Sequence, residues 1–221
     1  TKAQREKMLQ NVPTEYSSNA VDGDGFIYGT ISTQSADQFI KKMNPMGSDV
    51  LRRMGSVVLG NIESSRKAIV NRSEKAIHRV YENEAIVNRY ERELTQYMVH
   101  IDIAEHQQMQ LRHLLLMVND LEKISDRCKD LAELSELMLK ENSMFSIGGY
   151  EDLQLISAQS SETLEEALSF WQDPQETQRY QKAVQSGRMV TQLEEQIRDR
   201  HIRRLAQQRC QVEAGVLFLD A

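Results

Sequence analysis

Two acidic side chains in the middle of the chain, Glu122 and Asp126, have a spacing that suits a cation site. They lie four residues apart in an apolar-periodic segment, so on a helix their carboxylates stack one turn apart on one face. Like charges that close raise the free energy unless a cation or hydrogen-bond donors compensate them. Because carboxylate oxygens are ligands for hard and borderline metal ions, the pair is a candidate metal site.

A second acidic pair, Glu84 and Glu91, lies two helical turns apart on the apolar stripe of the preceding helical segment. If the two segments are antiparallel neighbours, the four carboxylates can surround one cation. The alternative is that these acids form salt bridges across helices or face water. The cations available for such salt bridges are Arg52, Arg89, Lys123, Arg127 and Lys129. The sequence leaves both interpretations open.

Other kinds of chemistry lack the residues that they need. No Glu in the helical region is followed by His three residues later, as a di-metal carboxylate enzyme would require. A nucleophile with an activating base and a glycine-rich phosphate loop are also missing, so we predict that the protein is not an enzyme. The scattered histidines do not suggest a zinc site, and we expect them at the surface or at helix edges: His78, His100, His106, His113 and His201.

The composition indicates a soluble all-α protein. Of 221 residues, 40% are hydrophobic and 27% charged, which is ordinary for a globular domain, while 10 Gly and 3 Pro leave few turns. After Ser48 the better helix formers dominate. The formal net charge of -6 argues against nucleic-acid binding, which needs a basic surface. Cys128 falls on the apolar stripe and is predicted to be a small buried residue.

The positions of turn residues and apolar stripes predict six helical segments. Turn chemistry at 44–47 and earlier indicates that residues 1–47 form a polar linker or N-terminal arm. Ser48 can cap the first helix, which is expected to end near Val70, and Gly148 and Gly149 mark the clearest break in the chain. The expected helices cover about 48–70, the stretch after a break at 71–73, 105–141, 150–171, the stretch after Asp173 and Pro174, and the C-terminal residues.

The second half of the chain repeats the first. A constant offset places Val190 on Val87 and Glu194 on Glu91. We therefore predict two tandem antiparallel three-helix bundle repeats, at 48–147 and 148–221. At this offset the counterpart of Glu122 would fall beyond Ala221, so we expect the second repeat to be truncated at its last helix.

The repeat and its acidic motifs resemble the PhoU family. Residues 120–126 resemble the acidic signature of that family, and residues 84–91 resemble its second signature. Residues 51–55 and 213–220 look most like the PhoU-like domain attached to bacterial sodium-dependent phosphate cotransporters. The pattern departs from that of the family where Lys123 replaces the usual Arg and where Asn88 and Thr191 stand in place of acids. Because Thr191, Ser186 and Gly187 are neutral, the second repeat is expected to bind metal poorly, and at most one intact site is expected.

The resemblance implies a regulator of phosphate uptake or phosphate homeostasis. It implies binding of divalent or iron-type metal ions by Glu122, Asp126, Glu84 and Glu91, with no other cofactor. The implied partner is the membrane domain of the transporter or a phosphate-signalling protein. The implied location is the cytoplasmic face, with the full-length protein in the inner (cell) membrane. The alternative is a free-standing helical adaptor or oligomerisation bundle that binds no metal, and association into a homo-oligomer is compatible with both functions.

Overall fold

The structure is a computed structural model that describes residues 36–99, 108–172 and 177–210, together with Ala214, Gly215 and Phe218. Side chains are described for 50–96, 109, 111–171, 177–210 and the last three residues named. These residues form helices and no strands, which confirms the all-α prediction. The helices are α1 (Ala36–Val70), α2 (Glu74–Val99), α3 (Gln108–Lys140), α4 (Ile147–Gln172) and α5 (Thr177–Ala206).

Helix α1 begins upstream of the predicted start at Ser48, and it includes the residues 44–47 that were predicted to be a turn. That prediction was wrong. The helix runs through Pro45, although a proline in a helix interior costs roughly 3 kcal/mol. The reason lies in the sequence around it, since Phe39, Met43 and Val50 continue the helical spacing of apolar residues through the proline. The rest of the predicted arm, residues 1–35, lies outside the described residues.

Three helices end in the same way, on a residue with left-handed backbone. The φ angles are 51° at Arg72, 51° at Asn142 and 54° at Gln208. In each case the next amide bonds back to a carbonyl of the last helical turn, as in Ser73 N to Ala68 O at 3.2 Å. The predicted break at 71–73 is confirmed, and Ser73 Oγ then caps α2 by accepting the Ala76 amide at 3.2 Å.

The two adjacent glycines lie inside α4 and not in the loop before it. Ser146 caps this helix through its Oγ, which accepts the Gly149 amide at 3.2 Å. A Cβ on Gly149 would lie 3.3 Å from both Phe145 Cβ and Phe218 Cε2. Close packing therefore selects a small residue at this position, whereas the sequence suggested turn chemistry.

The described residues pack as two units. One contains those up to Met54 and those within Asn88–Asp120, and its buried side chains include Leu51, Tyr90 and Val118. The other contains Gly55–Val87 and those within Leu121–Ala221. A core cluster of this larger unit joins residues from α1, α3, the segment before α4, α4, α5 and the C-terminal residues: Ile69, Met138, Phe145, Leu153, Ile197, Ala214 and Phe218.

Contacts within the larger unit repeat at the offset seen in the sequence. In the first copy, a Cβ on Gly60 of α1 would lie 3.5 Å from Asn83 Nδ2 of α2. In the second copy, Thr163 Oγ1 of α4 lies 2.8 Å from Ser186 Oγ of α5. The offset that aligns Val87 with Val190 also aligns Gly60 with Thr163 and Asn83 with Ser186. The two helix pairs therefore meet at equivalent positions.

The predicted sixth helix is described only in part. Ala214, Gly215 and Phe218 have helical backbone, while the other residues of 213–220 lie outside the described residues, as do Asp173 and Pro174. Among the helices that the structure does describe, none contains an apolar stretch long enough to cross a membrane.

Helices α4 and α5 are joined by a buried carboxylate. Arg200 donates to Asp152 Oδ1 from Nε at 2.9 Å and from Nη2 at 2.6 Å, and Arg204 Nη1 donates to Oδ2 at 2.7 Å. The Asp152 side chain is only 8% exposed. Because a buried charge is tolerated only when it is paired and hydrogen-bonded, the two guanidiniums fix the register of α5 against α4.

We expect Arg204→Met to lower the free energy of unfolding by about 2–3 kcal/mol, because it leaves Asp152 Oδ2 buried without a donor. Urea denaturation followed by circular dichroism measures this change. Arg198→Met on the same helix is the matched control, since Arg198 is 61% exposed and pairs with the half-exposed Glu194. That control should change stability by less than about 0.5 kcal/mol. Equal effects of the two substitutions would show that Asp152 does not join the helices.

Candidate acidic site on α3

The acidic pair borders a buried contact between α1 and α3. Glu122 and Asp126 are half-buried, and Ser125 between them is fully buried. Ser125 Oγ accepts a hydrogen bond from Asn61 Nδ2 at 2.8 Å. The carboxylates therefore lie at the edge of the packed helix face, as the apolar spacing predicted.

Small polar side chains line this contact between α1 and α3. Asn61 and Ser65 of α1 are almost completely buried, and Ser65 Oγ donates to Ile62 O at 3.0 Å. Cys128 on α3 is also buried, and this burial raises the pKa of its thiol to about 11 although a hydrogen bond with Ser65 opposes the shift. The prediction that Cys128 is buried is thus confirmed, and its thiol stays protonated at neutral pH.

The sequence analysis overlooked Asn61 and Ser65 as interior residues. The signal was present, because the buried positions of α1 follow three- and four-residue steps through these polar residues. The stripe that shows these steps contains Met54, Val58, Asn61, Ser65 and Ala68, all of which are buried.

Glu84 on α2 is paired with a cation. Lys129 Nζ of α3 lies 3.6 Å from Glu84 Oε1, and the Glu84 side chain is only 12% exposed. Near it on α2, burial raises the pKa of Tyr81 to about 12, and a hydrogen bond with Glu136 adds to the shift. For Glu84 the structure therefore shows the salt bridge that the sequence analysis gave as the alternative to a metal ion.

Glu91 belongs to the smaller unit, whereas Glu84, Glu122 and Asp126 belong to the larger one. Its Oε1 accepts a hydrogen bond from Thr95 Oγ1 one turn later at 3.2 Å. Its counterpart in the second repeat, Glu194, pairs with Arg198.

Within the part of the chain that the structure describes, no three His, Cys, Asp or Glu side chains form a group that could hold a metal ion. A cation bound by Glu122 and Asp126 would thus need water or groups from elsewhere to complete its coordination shell. A cation bound at Glu84 would have to displace the Lys129 ammonium. Metal binding by the four acids remains a prediction.

One of the histidines differs from the expected surface placement. His78 and His113 are exposed, but His201 is only 2% exposed and its Nε2 lies 2.9 Å from the Gly215 carbonyl oxygen. The expectation was wrong for His201 because C-terminal residues cover this side of α5. His100 and His106 lie outside the described side chains.

The fold belongs to the class of helical bundles built from repeated units, with an acidic pair at the edge of a helix contact. The family model of the PhoU domain matches residues 51–135, a segment that contains all four candidate acids. The structure is similar to the crystal structure of PhoU from Pseudomonas aeruginosa, with a TM-score of 0.68 and 16% sequence identity over 82% of this chain and 86% of that chain. No curated protein matches the sequence. The chain therefore has the PhoU-like helical-bundle fold.

The hydrogen bond between Asn61 and Ser125 can be measured by a double-mutant cycle. We expect Ser125→Ala to lower the free energy of unfolding by about 1–3 kcal/mol, because it leaves the Asn61 amide group buried without an acceptor. Asn61→Ala should be destabilising too, and the double variant should cost less than the sum of the two single variants. Chemical denaturation of the four proteins gives the coupling free energy. Additive effects would mean that the bond does not join α1 to α3.

Proposed function

We propose that the chain is a regulatory PhoU-like domain that acts in phosphate uptake or phosphate homeostasis. The observation that carries the proposal is the PhoU domain match over residues 51–135 in a chain with the fold of PhoU from Pseudomonas aeruginosa. A regulator of this kind acts by binding and by changes in helix packing. We propose no catalytic step.

We further propose that the domain works at the cytoplasmic face of a sodium-dependent phosphate cotransporter. The resemblance of residues 51–55 and 213–220 to that version of the domain supports this context. Its partner would be the membrane part of the transporter or a phosphate-signalling protein. Membrane-spanning segments encoded next to this sequence in the same gene would support the assignment, and their absence would overturn it.

The acidic pair can couple binding to helix packing. Glu122 and Asp126 flank Ser125, whose hydroxyl accepts the buried hydrogen bond from Asn61. A divalent or iron-type cation, or a basic side chain of a partner, would relieve the repulsion between the two carboxylates. Because the pair borders the contact between α1 and α3, such binding would favour the helix arrangement in which the carboxylates stay close together.

An uptake assay tests the regulatory function. In cells that lack the gene, the full-length wild-type protein should restore the dependence of phosphate uptake on external phosphate. Glu122→Gln combined with Asp126→Asn should reduce that response several-fold, because it removes both charges and keeps the side-chain size. Glu133→Gln, an exposed acid on the same helix, is the matched control and should behave as wild type. An unaltered phosphate response in cells without the gene would contradict the proposed function.

Metal binding requires a separate measurement. We expect elemental analysis of the purified protein to show a divalent or iron-type ion, and Glu122→Ala and Asp126→Ala should each lower the metal content. Lys129→Gln should raise it if the ammonium competes with a cation for Glu84. Equal metal content in all four proteins would reject the site but leave the regulatory function open.

The second candidate is a helical adaptor or oligomerisation bundle that binds no metal. Two observations favour it. Lys129 already neutralises Glu84, and large apolar side chains such as Ile147 and Leu155 are exposed on α4. A concentration-dependent molar mass in light scattering, with wild-type uptake regulation in the acid-to-amide variant, would support this candidate over the first.

A further inference from the structure

The C-terminal residues are anchored to the end of α5 by one aromatic side chain. Phe218 is 7% exposed, and its ring stacks on the His201 imidazole with 4.3 Å between centroids. It also meets Phe145 edge-on at 5.2 Å, and the Arg204 guanidinium lies 5.6 Å from its centroid. We call Ala214, Gly215 and Phe218 the C-terminal contact.

His201 holds this contact by a second interaction. Its Nε2 lies 2.9 Å from the Gly215 carbonyl oxygen, and since a carbonyl only accepts, Nε2 carries the proton. The other ring nitrogen, Nδ1, is buried and has no hydrogen-bond partner among the described residues. The neutral imidazole therefore fits this environment, because its unprotonated nitrogen needs no acceptor.

The surroundings of His201 disfavour a second proton. Arg204 contributes a positive charge from α5, and the negative charge of Asp152 on α4 is already bound by Arg200 and Arg204. The other side chains with polar atoms around the ring are Ser146 and Cys210, whose oxygen and sulfur lie 3.6 Å apart. No described carboxylate is therefore left to accept a hydrogen bond from a protonated Nδ1.

The pKa of His201 agrees with this geometry. Burial lowers it most, the hydrogen bond to Gly215 opposes that shift, and the Arg204 charge lowers it further against the weaker opposite effect of Asp152. The net direction is below the ordinary value of 6.5. Without the C-terminal contact over it, the His201 ring would be open to water, where an imidazole has a pKa of about 6.5.

We propose that His201 makes the attachment of the C-terminal contact sensitive to acid, so that its protonation releases Gly215 and Phe218 from α5. Stacking on Phe218 does not oppose protonation, since a cation is tolerated over an aromatic ring. Protonation is disfavoured because the buried Nδ1–H would have no acceptor and because the positive charge of Arg204 lies nearby. The attachment is at full strength above about pH 6.5 and weakens as the pH falls toward the lowered pKa of the attached state.

The size of the effect follows from the single proton involved. Each pH unit between the two pKa values can change the equilibrium between attached and detached states by at most about tenfold. Between pH 7.5 and pH 5.5 we expect the detached fraction to increase by up to about tenfold. This inference does not depend on the proposed role in phosphate regulation.

Hydrogen–deuterium exchange at a series of pH values tests the proposal on the full chain. After correction for the intrinsic pH dependence of exchange, peptides that span Gly215 and Phe218 should lose protection below pH 6.5. Peptides from the buried part of α1 that includes Leu51 and Val58 should keep theirs. Equal loss in both regions would indicate global unfolding and would overturn the proposal, as would constant protection of the C-terminal peptides.

Two variants separate the role of His201 from a general effect of pH. His201→Gln can still donate to the Gly215 carbonyl but does not titrate, so its C-terminal peptides should show no pH dependence over this range. His78→Gln changes an exposed histidine and should retain the wild-type dependence. If His201→Gln retains the dependence, the proposal is wrong.

A measurement on the wild-type protein avoids reliance on a folded variant. Nuclear magnetic resonance of the imidazole carbon follows the titration of His201 directly. Its midpoint should lie below 6.5 and within the pH range where the C-terminal peptides lose protection. A midpoint at or above 6.5 would overturn the proposal.

Discussion

Buried polar contacts fix the register of the long helices against one another. Apolar stripes alone allow such helices to slide by a turn, since neighbouring turns present similar surfaces. The hydrogen bond from Asn61 to Ser125 forms in only one register of α1 against α3. In the same way, the bonds from Arg200 and Arg204 to Asp152 form in only one register of α5 against α4. Each of these contacts places the residues next to it, so the positions of the candidate sites depend on them.

The two repeats share equivalent helix contacts but differ in the charged residues near them. Equivalent positions bring Gly60 to Asn83 in the first copy and Thr163 to Ser186 in the second. The first copy has Glu84 at the contact between α2 and α3, balanced by Lys129. The corresponding residue of the second copy is Gly187, which carries no charge. The second copy instead has the arginine-bound Asp152 and the buried His201 at the C-terminal contact.

The features that support the proposed regulatory function lie in the first repeat. The first repeat carries the PhoU domain match and an acidic pair that borders a packed helix contact. A ligand at that pair would act on the spacing of the helices, because the carboxylates flank the buried Ser125. In the second repeat a titratable side chain is built into the attachment of the C-terminal residues. In both proposals helix packing would respond to a bound ligand or a proton, and neither proposal includes a catalytic step.

The sequence by itself determined the helical class, the apolar faces of the helices and the repeat, because each depends on spacing along the chain. The break at 71–73, the burial of Cys128 and the placement of Glu122 and Asp126 at the edge of a packed face followed from that spacing. The interior Pro45 was misjudged because a residue-level turn preference was weighted above the apolar pattern around it.

Only the tertiary structure decided which residues meet across helices. The pairing of Lys129 with Glu84, the two arginines on Asp152 and the burial of His201 under Phe218 join residues that are far apart in the chain. Spacing along one helix defines a face, but it does not define the register or the neighbour against which that face packs. The spacing of His201 along α5 fits both a helix edge and an interior position. The C-terminal residues that cover it decide between the two.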